Sequence, residues 1–275
     1  MEGYIDSHQH FWRYQPEHYG WISAEMEVLQ QDFLPNDLRK VSEGFGFAGS
    51  VAVQARQMET ENYFLLELAG DNDFIKGIVG WIDLQQDDLE SKLEPYREIP
   101  LMKGFRHIVQ GESDPEFMLR AQFLRGIKLL ATHNFTYDIL IYSRQLPQVI
   151  KFLGKIPEQS LVLDHAGKPD IKSGEWESWV SKIKQVADYK HVHCKVSGLV
   201  TEADWDGWDK DQIQKYIQVL LDSFGVERLM FGSDWPVCKL AANYQEVYDL
   251  VSGMLSESEK QQVFRKTAVD FYQLD

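Results

Sequence analysis

Eight short β-rich runs punctuate this chain, most of them separated by stretches of helical periodicity, and few folds accommodate that alternation. The runs are Tyr4 to Asp6, Gly49 to Gln54, Ile75 to Leu84, Lys103 to Ile108, Tyr137 to Tyr142, Ser160 to His165, His191 to Ser197 and Arg228 to Ser233. Strands that alternate with helices are joined by crossovers, which makes neighbouring strands parallel. Parallel strands need helical cover, and eight of them close naturally into a barrel. The length of 275 residues suits such a barrel, which takes about 250 residues. The expectation is therefore α/β class, a (β/α)8 TIM barrel, with residues 1–275 forming a single domain. No fixed-period repeat, low-complexity tract or Pro/Gly/Ser linker argues for a second unit.

Local signals refine this picture. Asp114 before Pro115, followed by Phe117, Ala121, Leu124 and Lys128 at helical spacing, reads as the N-cap of a helix. Ser256 with Glu259 fits a capping box and starts a last helix through Val263, Val269 and Phe271, expected on the barrel exterior. The longest insert, Phe11 to Pro35, carries Trp12, Tyr14, Tyr19 and Trp21 and is placed to roof a pocket.

Composition excludes several classes. A formal charge of −15 repels polyanions, and no dense Lys/Arg cluster offsets it, so nucleic acid is not an expected partner. No window approaches the roughly 20 apolar residues of a membrane span. The first strand begins at Tyr4, which leaves no room for a leader, and the two cysteines, Cys194 and Cys238, fit reduced structural thiols. A cytoplasmic setting is expected.

Polar residues recur at the C-terminal ends of the strands, where barrels of this kind build their sites. His8 and His10, two apart on an extended segment, point to one side and can share a cation. Such a pair is common in ordinary loops. His165 and Asp234 at two further strand ends complete a set suited to one divalent ion, zinc first, and give the metal group His8, His10, His165 and Asp234. Asp234 can alternatively cap a turn before Trp235-Pro236, and His165 can be a satisfied core histidine oriented by Asp164. As a catalytic set we take Asp234 as base with His165, and Arg106 and His107 as donors to a developing oxyanion. For His107 a rim salt bridge is an equal alternative. Gln54, Arg56, Trp81, Tyr137, Lys168 and Lys195 are candidates to bind a polyhydroxylated ligand. Core packing competes for Trp81, and a buried ion pair for Lys195. Glycine-rich phosphate loops, a Gly-x-Ser-x-Gly elbow and Cys-x-x-Cys pairs are absent from the sequence.

Three segments, Ile5-Asp6-Ser7-His8-Gln9-His10-Phe11-Trp12, Asp164-His165-Ala166-Gly167-Lys168-Pro169 and Phe231-Gly232-Ser233-Asp234-Trp235-Pro236, resemble the amidohydrolase-2 family of the amidohydrolase superfamily. Within it, the likeness is to the metal-dependent TIM-barrel hydrolases, a group that includes L-fucono- and L-rhamnono-lactonases. The resemblance extends over essentially the whole chain, through Phe271-Tyr272. It implies a (β/α)8 barrel that hydrolyses small sugar lactones, with Asp234 as general base and His8, His10 and His165 around the reacting centre. The superfamily's two-metal pattern uses a carboxylated lysine or glutamate at strand four and a histidine at strand five. This chain has Arg106-His107 and Tyr137-Asp138 there, so a single divalent metal ion or metal-independent catalysis stay open. Two other readings are carried forward: non-oxidative decarboxylation of a small organic acid, and an inactive barrel that only binds carbohydrate. Self-association into a homo-oligomer is left open.

Overall fold

A computed structural model describes residues 3–275. Eight parallel strands, β1 (Tyr4–Gln9), β2 (Phe47–Val53), β3 (Ile75–Gly80), β4 (Met102–Ile108), β5 (Thr136–Leu140), β6 (Leu161–Leu163), β7 (Val192–Val196) and β8 (Leu229–Phe231), lie in sequential order in one sheet. The sheet closes where Gln9 bridges Trp235 and the His10 amide donates to the Trp235 carbonyl at 2.7 Å. Helices α1 (Pro35–Ser42), α2 (Glu59–Asp71), α3 (Leu89–Arg97), α4 (Ala121–Thr132), α5 (Leu146–Leu153), α6 (Glu177–Ala187), α7 (Lys210–Phe224) and α8 (Tyr244–Ser252) follow the strands in turn. The architecture is the (β/α)8 TIM barrel that the alternation predicts. Among the described residues, no helix is long and apolar enough to cross a membrane.

Two apolar layers hold it together. The large cluster lies between strands and helices and includes Leu38, Leu65, Phe123, Trp179 and Leu220. A second cluster fills the barrel interior with Ile5, Val51, Val53, Val79, Val162 and Met230, and it continues into Ala268, Phe271, Tyr272 and Leu274. The last helical stretch, α9 (Glu257–Gln261), a π turn (Gln262–Lys266) and α10 (Thr267–Tyr272), starts at the expected Ser256–Glu259 capping box. Its end is not on the barrel exterior. It plugs the N-terminal mouth, and the Tyr272 hydroxyl reaches Asp138 Oδ2 at 2.9 Å inside the barrel. Asp114 also differs from expectation. Its carboxylate accepts from the Glu116 amide and from Arg120 in a turn, and α4 begins only at Ala121 because Phe117–Leu119 forms a separate 3₁₀ turn.

Candidate active site

The closure of the barrel creates the site. His8 is the penultimate residue of β1, Asp234 follows β8, and the Asp234 amide donates to the His8 carbonyl at 2.9 Å. The Asp6 carboxylate, buried at the seam, accepts from the amides of His8 (3.2 Å) and Ser233 (2.9 Å) and from the Tyr244 hydroxyl (3.1 Å). Burial pushes its pKa up to about 6 against the pull of those hydrogen bonds. Gly232 is required at this seam, since a Cβ there would lie 2.5 Å from the His8 Cβ.

After β6 the chain makes an unusual turn. His165, Ala166, Gly167 and Lys168 all have positive φ, between 48° and 67°. A left-handed run containing three non-glycine residues costs roughly 1–2 kcal/mol at each of those three. The Trp179 indole, donating to the Ala166 carbonyl at 2.9 Å, helps to hold it. The reward is that His165 and Lys168 both face the same cavity, which an extended or right-handed segment would not arrange.

At the cavity floor four groups converge. His8 Nε2 lies 3.2 Å from His10 Nε2, and Asp234 Oδ1 lies 3.4, 3.8 and 3.9 Å from the Nε2 atoms of His10, His8 and His165. His10 Nδ1 is 2.7 Å from the Val53 carbonyl, which can only accept, so this nitrogen carries the proton and Nε2 presents a lone pair to the cluster. A lone pair, two further imidazole nitrogens and a carboxylate oxygen are suitable donors for one divalent ion. The groups His8/His10/Asp234 and His8/Asp164/His165 are each tight enough to hold one. Burial pulls the His165 pKa down to about 4 and that of His8 well below the ordinary value, each opposed by neighbouring carboxylates. Burial alone would raise the Asp234 pKa, but the three histidines outweigh it and hold the group below the usual carboxylate range. Near neutral pH Asp234 is thus a carboxylate beside the neutral imidazoles of His8 and His165.

Beneath this floor lies a buried charge layer. Lys195 Nζ sits 2.5 Å from Asp138 Oδ2, 3.0 Å from Asp164 Oδ1 and 3.1 Å from His8 Nδ1. Arg106 Nη1 pairs with Asp164 Oδ2 at 3.0 Å and approaches His8 Nε2 at 3.3 Å. Desolvation raises the Asp164 pKa, yet Lys195, His8 and Arg106 together hold it well below the ordinary range. Two protein cations therefore neutralise the inward carboxylates of Asp138 on β5 and Asp164 just after β6. Coulomb repulsion disfavours a second metal ion at that depth.

A cavity of about 320 Å³ opens above the floor, lined among others by His10, Arg106, His165, Lys168 and Asp234. Other expected residues lie elsewhere. His107 points out of β4, stacks on Phe117 and bonds Glu112 Oε1 at 2.7 Å, so the rim-pair alternative describes it rather than oxyanion contact. Tyr137 is on the helix-facing side of β5 against Phe123, and Trp81 donates to His107 Nδ1 at 3.4 Å; neither lines the cavity. Arg56 is engaged by Glu61 at 2.5 Å and lies under the Tyr19 ring, while Lys195 is sealed below the floor. Gln54 braces Arg106, its carbonyl accepting from Nη2 at 2.5 Å. The sequence reading missed Gln110, Tyr142, Thr201, Glu202 and Trp205, all on loops a few residues beyond strand ends. The signal was there, in polar and aromatic residues just past strands four, five and seven. Trp21 from the 11–35 insert does line the cavity, as its aromatic content suggested.

Known proteins share this sequence and fold. An L-fucono-1,5-lactonase of Burkholderia multivorans is 43% identical, covering 98% of this chain and 96% of the relative. Another from Burkholderia ambifaria is 31% identical with the same coverages. A crystal structure of an amidohydrolase from Burkholderia multivorans with bound zinc is 43% identical, with a TM-score of 0.94 and 99% of each chain covered. The amidohydrolase family model matches residues 5–274, and this chain belongs to the amidohydrolase family.

Proposed function

We propose that this chain is a lactonase that opens a sugar 1,5-lactone to its aldonate, with Asp234 as general base. The observation that carries the reading is the convergence of Asp234 Oδ1 with three imidazoles at the floor of a cavity sized for one small ligand. The two relatives named L-fucono-1,5-lactonase support the substrate class. Asp234 Oδ1 is turned to the histidines, and Oδ2 has no hydrogen-bond partner among the described residues, so it is free to take a proton from water. That water attacks the ester carbonyl carbon. The negative charge that develops on the carbonyl oxygen is stabilised by the Arg106 guanidinium at the cavity floor. Collapse breaks the bond between the carbonyl carbon and the ring oxygen, and the proton on Asp234 passes to that oxygen.

His8, His10 and Asp234, with His165 beside them, would hold one divalent ion, zinc first, and it would supply Lewis acidity and a more acidic water. The bound zinc of the Burkholderia multivorans structure supports that assignment. The buried, unpaired thiols of Cys194 and Cys238 support a cytoplasmic setting.

Ring opening releases a proton at neutral pH, whereas decarboxylation releases CO2, and a pH-indicator assay on L-fucono-1,5-lactone with CO2 detection separates them. Asp234→Asn is expected to lower kcat by about 10²- to 10⁴-fold with the fold retained. Near-wild-type hydrolysis by that variant would remove Asp234 from the mechanism, and CO2 evolution would favour the decarboxylase reading.

A further inference from the structure

One ion pair on the cavity wall has no part in the chemistry above. Lys168, on the left-handed turn after β6, and Glu202, on the 3₁₀ turn Val200–Glu202 after β7, meet with Nζ 3.1 Å from Oε1. Both side chains are largely withdrawn from solvent, 17% and 16% exposed, and both line the cavity. The ammonium has three protons, but Glu202 is its only hydrogen-bonding partner among the described residues, with the Tyr142 ring 5.5 Å away. The second carboxylate oxygen of Glu202 has no partner among the described residues. Spare donors and spare acceptors therefore stand side by side within the walls of the cavity.

Resting on the lactonase reading, we propose that the Lys168–Glu202 pair is the specificity element of this site and reads ring hydroxyls of the substrate. A hydroxyl both donates and accepts, so the ammonium and the carboxylate can engage one or two neighbouring hydroxyls at once. An unsubstituted ring would leave the charges desolvated and without new partners, which is how a polar site rejects the analogue lacking the group. A purely structural clip between the two loops is the competing explanation. The loops are already joined without it, since the Lys172 amide donates to the Glu202 carbonyl at 3.0 Å and the Lys172 ammonium pairs with Asp204 at 3.1 Å. Lys168 also reaches the cavity only through a φ of +48°, a strained conformation that a solvent-exposed clip would not need.

The test is a cycle between enzyme and substrate. Wild type and Glu202→Gln are assayed by proton release on an aldono-1,5-lactone and on its analogues lacking one ring hydroxyl each. For wild type, removing the hydroxyl that the pair reads is expected to lower kcat/KM about 10- to 100-fold, mostly through KM. For Glu202→Gln the same deoxygenation is expected to cost under about threefold, because the penalty has already been taken. If the two losses multiply independently at every ring position, the pair is a structural clip and the inference fails while lactone hydrolysis stands. If wild type opens none of these lactones, both the hydrolase reading and this inference fail. Should Glu202→Gln not fold, Lys168→Met reads the same cycle from the other partner.

Discussion

A single methyl group tests how tightly the imidazoles are placed. Gly198, just past β7, has φ of +63°, and a Cβ there would lie 2.5 Å from His165 Nδ1. Gly174 has a similar φ of +77° with nothing within 4 Å of its would-be Cβ. Gly198→Ala and Gly174→Ala therefore share a backbone penalty of about 1–2 kcal/mol, but only the first displaces a residue at the reacting centre. Gly198→Ala is expected to lower kcat about 100-fold, and Gly174→Ala to leave it within about twofold. Equal losses would mean that His165 is not held by this contact. The convergence of His8, His10, His165 and Asp234 was legible because strand ends are recognisable and the polar residues there gather at one barrel mouth. What was not legible is which way a strand residue faces. Arg106 points into the barrel and its neighbour His107 out; Asp138 points in and Tyr137 out. Parallel strands buried on both faces show no alternation of polarity that would reveal this parity.

At the scale of elements, the strand order and most helices follow from the pattern, while turns and termini depart from it. Left-handed backbone at His165 and Ala166 cannot be read from residues that rarely adopt it, and α4 starts late because Asp114 caps a turn of its own. The 11–35 insert is the clearest case of a composition signal that translated into position. Trp12 is buried, pairs through backbone bonds with Phe33, donates its indole N–H to the Gln31 carbonyl at 2.9 Å and contacts Tyr19 and Trp21. Trp21, 40% exposed, covers the cavity but adds little to the core. Trp12→Ala is expected to cost about 3–5 kcal/mol of folding free energy, and Trp21→Ala under about 1 kcal/mol while raising KM. Urea denaturation of both variants measures the difference. If Trp12→Ala cost no more than Trp21→Ala, the insert would be a loose flap rather than part of the barrel's core.

For the whole molecule, the two barrel mouths do opposite work: one gathers polar groups around a ligand, and the other is sealed by the C-terminal segment. The seal is largely apolar, and its polar contacts include the Tyr272 hydroxyl on Asp138, the Lys103 ammonium donating to the Gln273 carbonyl at 2.9 Å, and the His193 ring packed against Phe271 with centroids 4.8 Å apart. Burial lowers the His193 pKa to about 4, with Arg228 and His191 adding to the shift and a backbone hydrogen bond opposing it. A histidine in the unfolded chain titrates near 6.5, so below that pH the unfolded state binds a proton that the folded state refuses. The associated stability is fully present above pH 6.5 and is lost progressively as the pH falls toward 4. The shift amounts to roughly 2 kcal/mol once partial solvent access to the ring is allowed for. Many other groups titrate in this window, so the measurement is a difference between two proteins. His193→Gln, which cannot charge, is expected to lose about 2 kcal/mol less than wild type between pH 7 and pH 4 in urea denaturation. Parallel stability curves for the two would show that a charged His193 is tolerated under the plug, and that the sealed mouth admits water more freely than its packing implies.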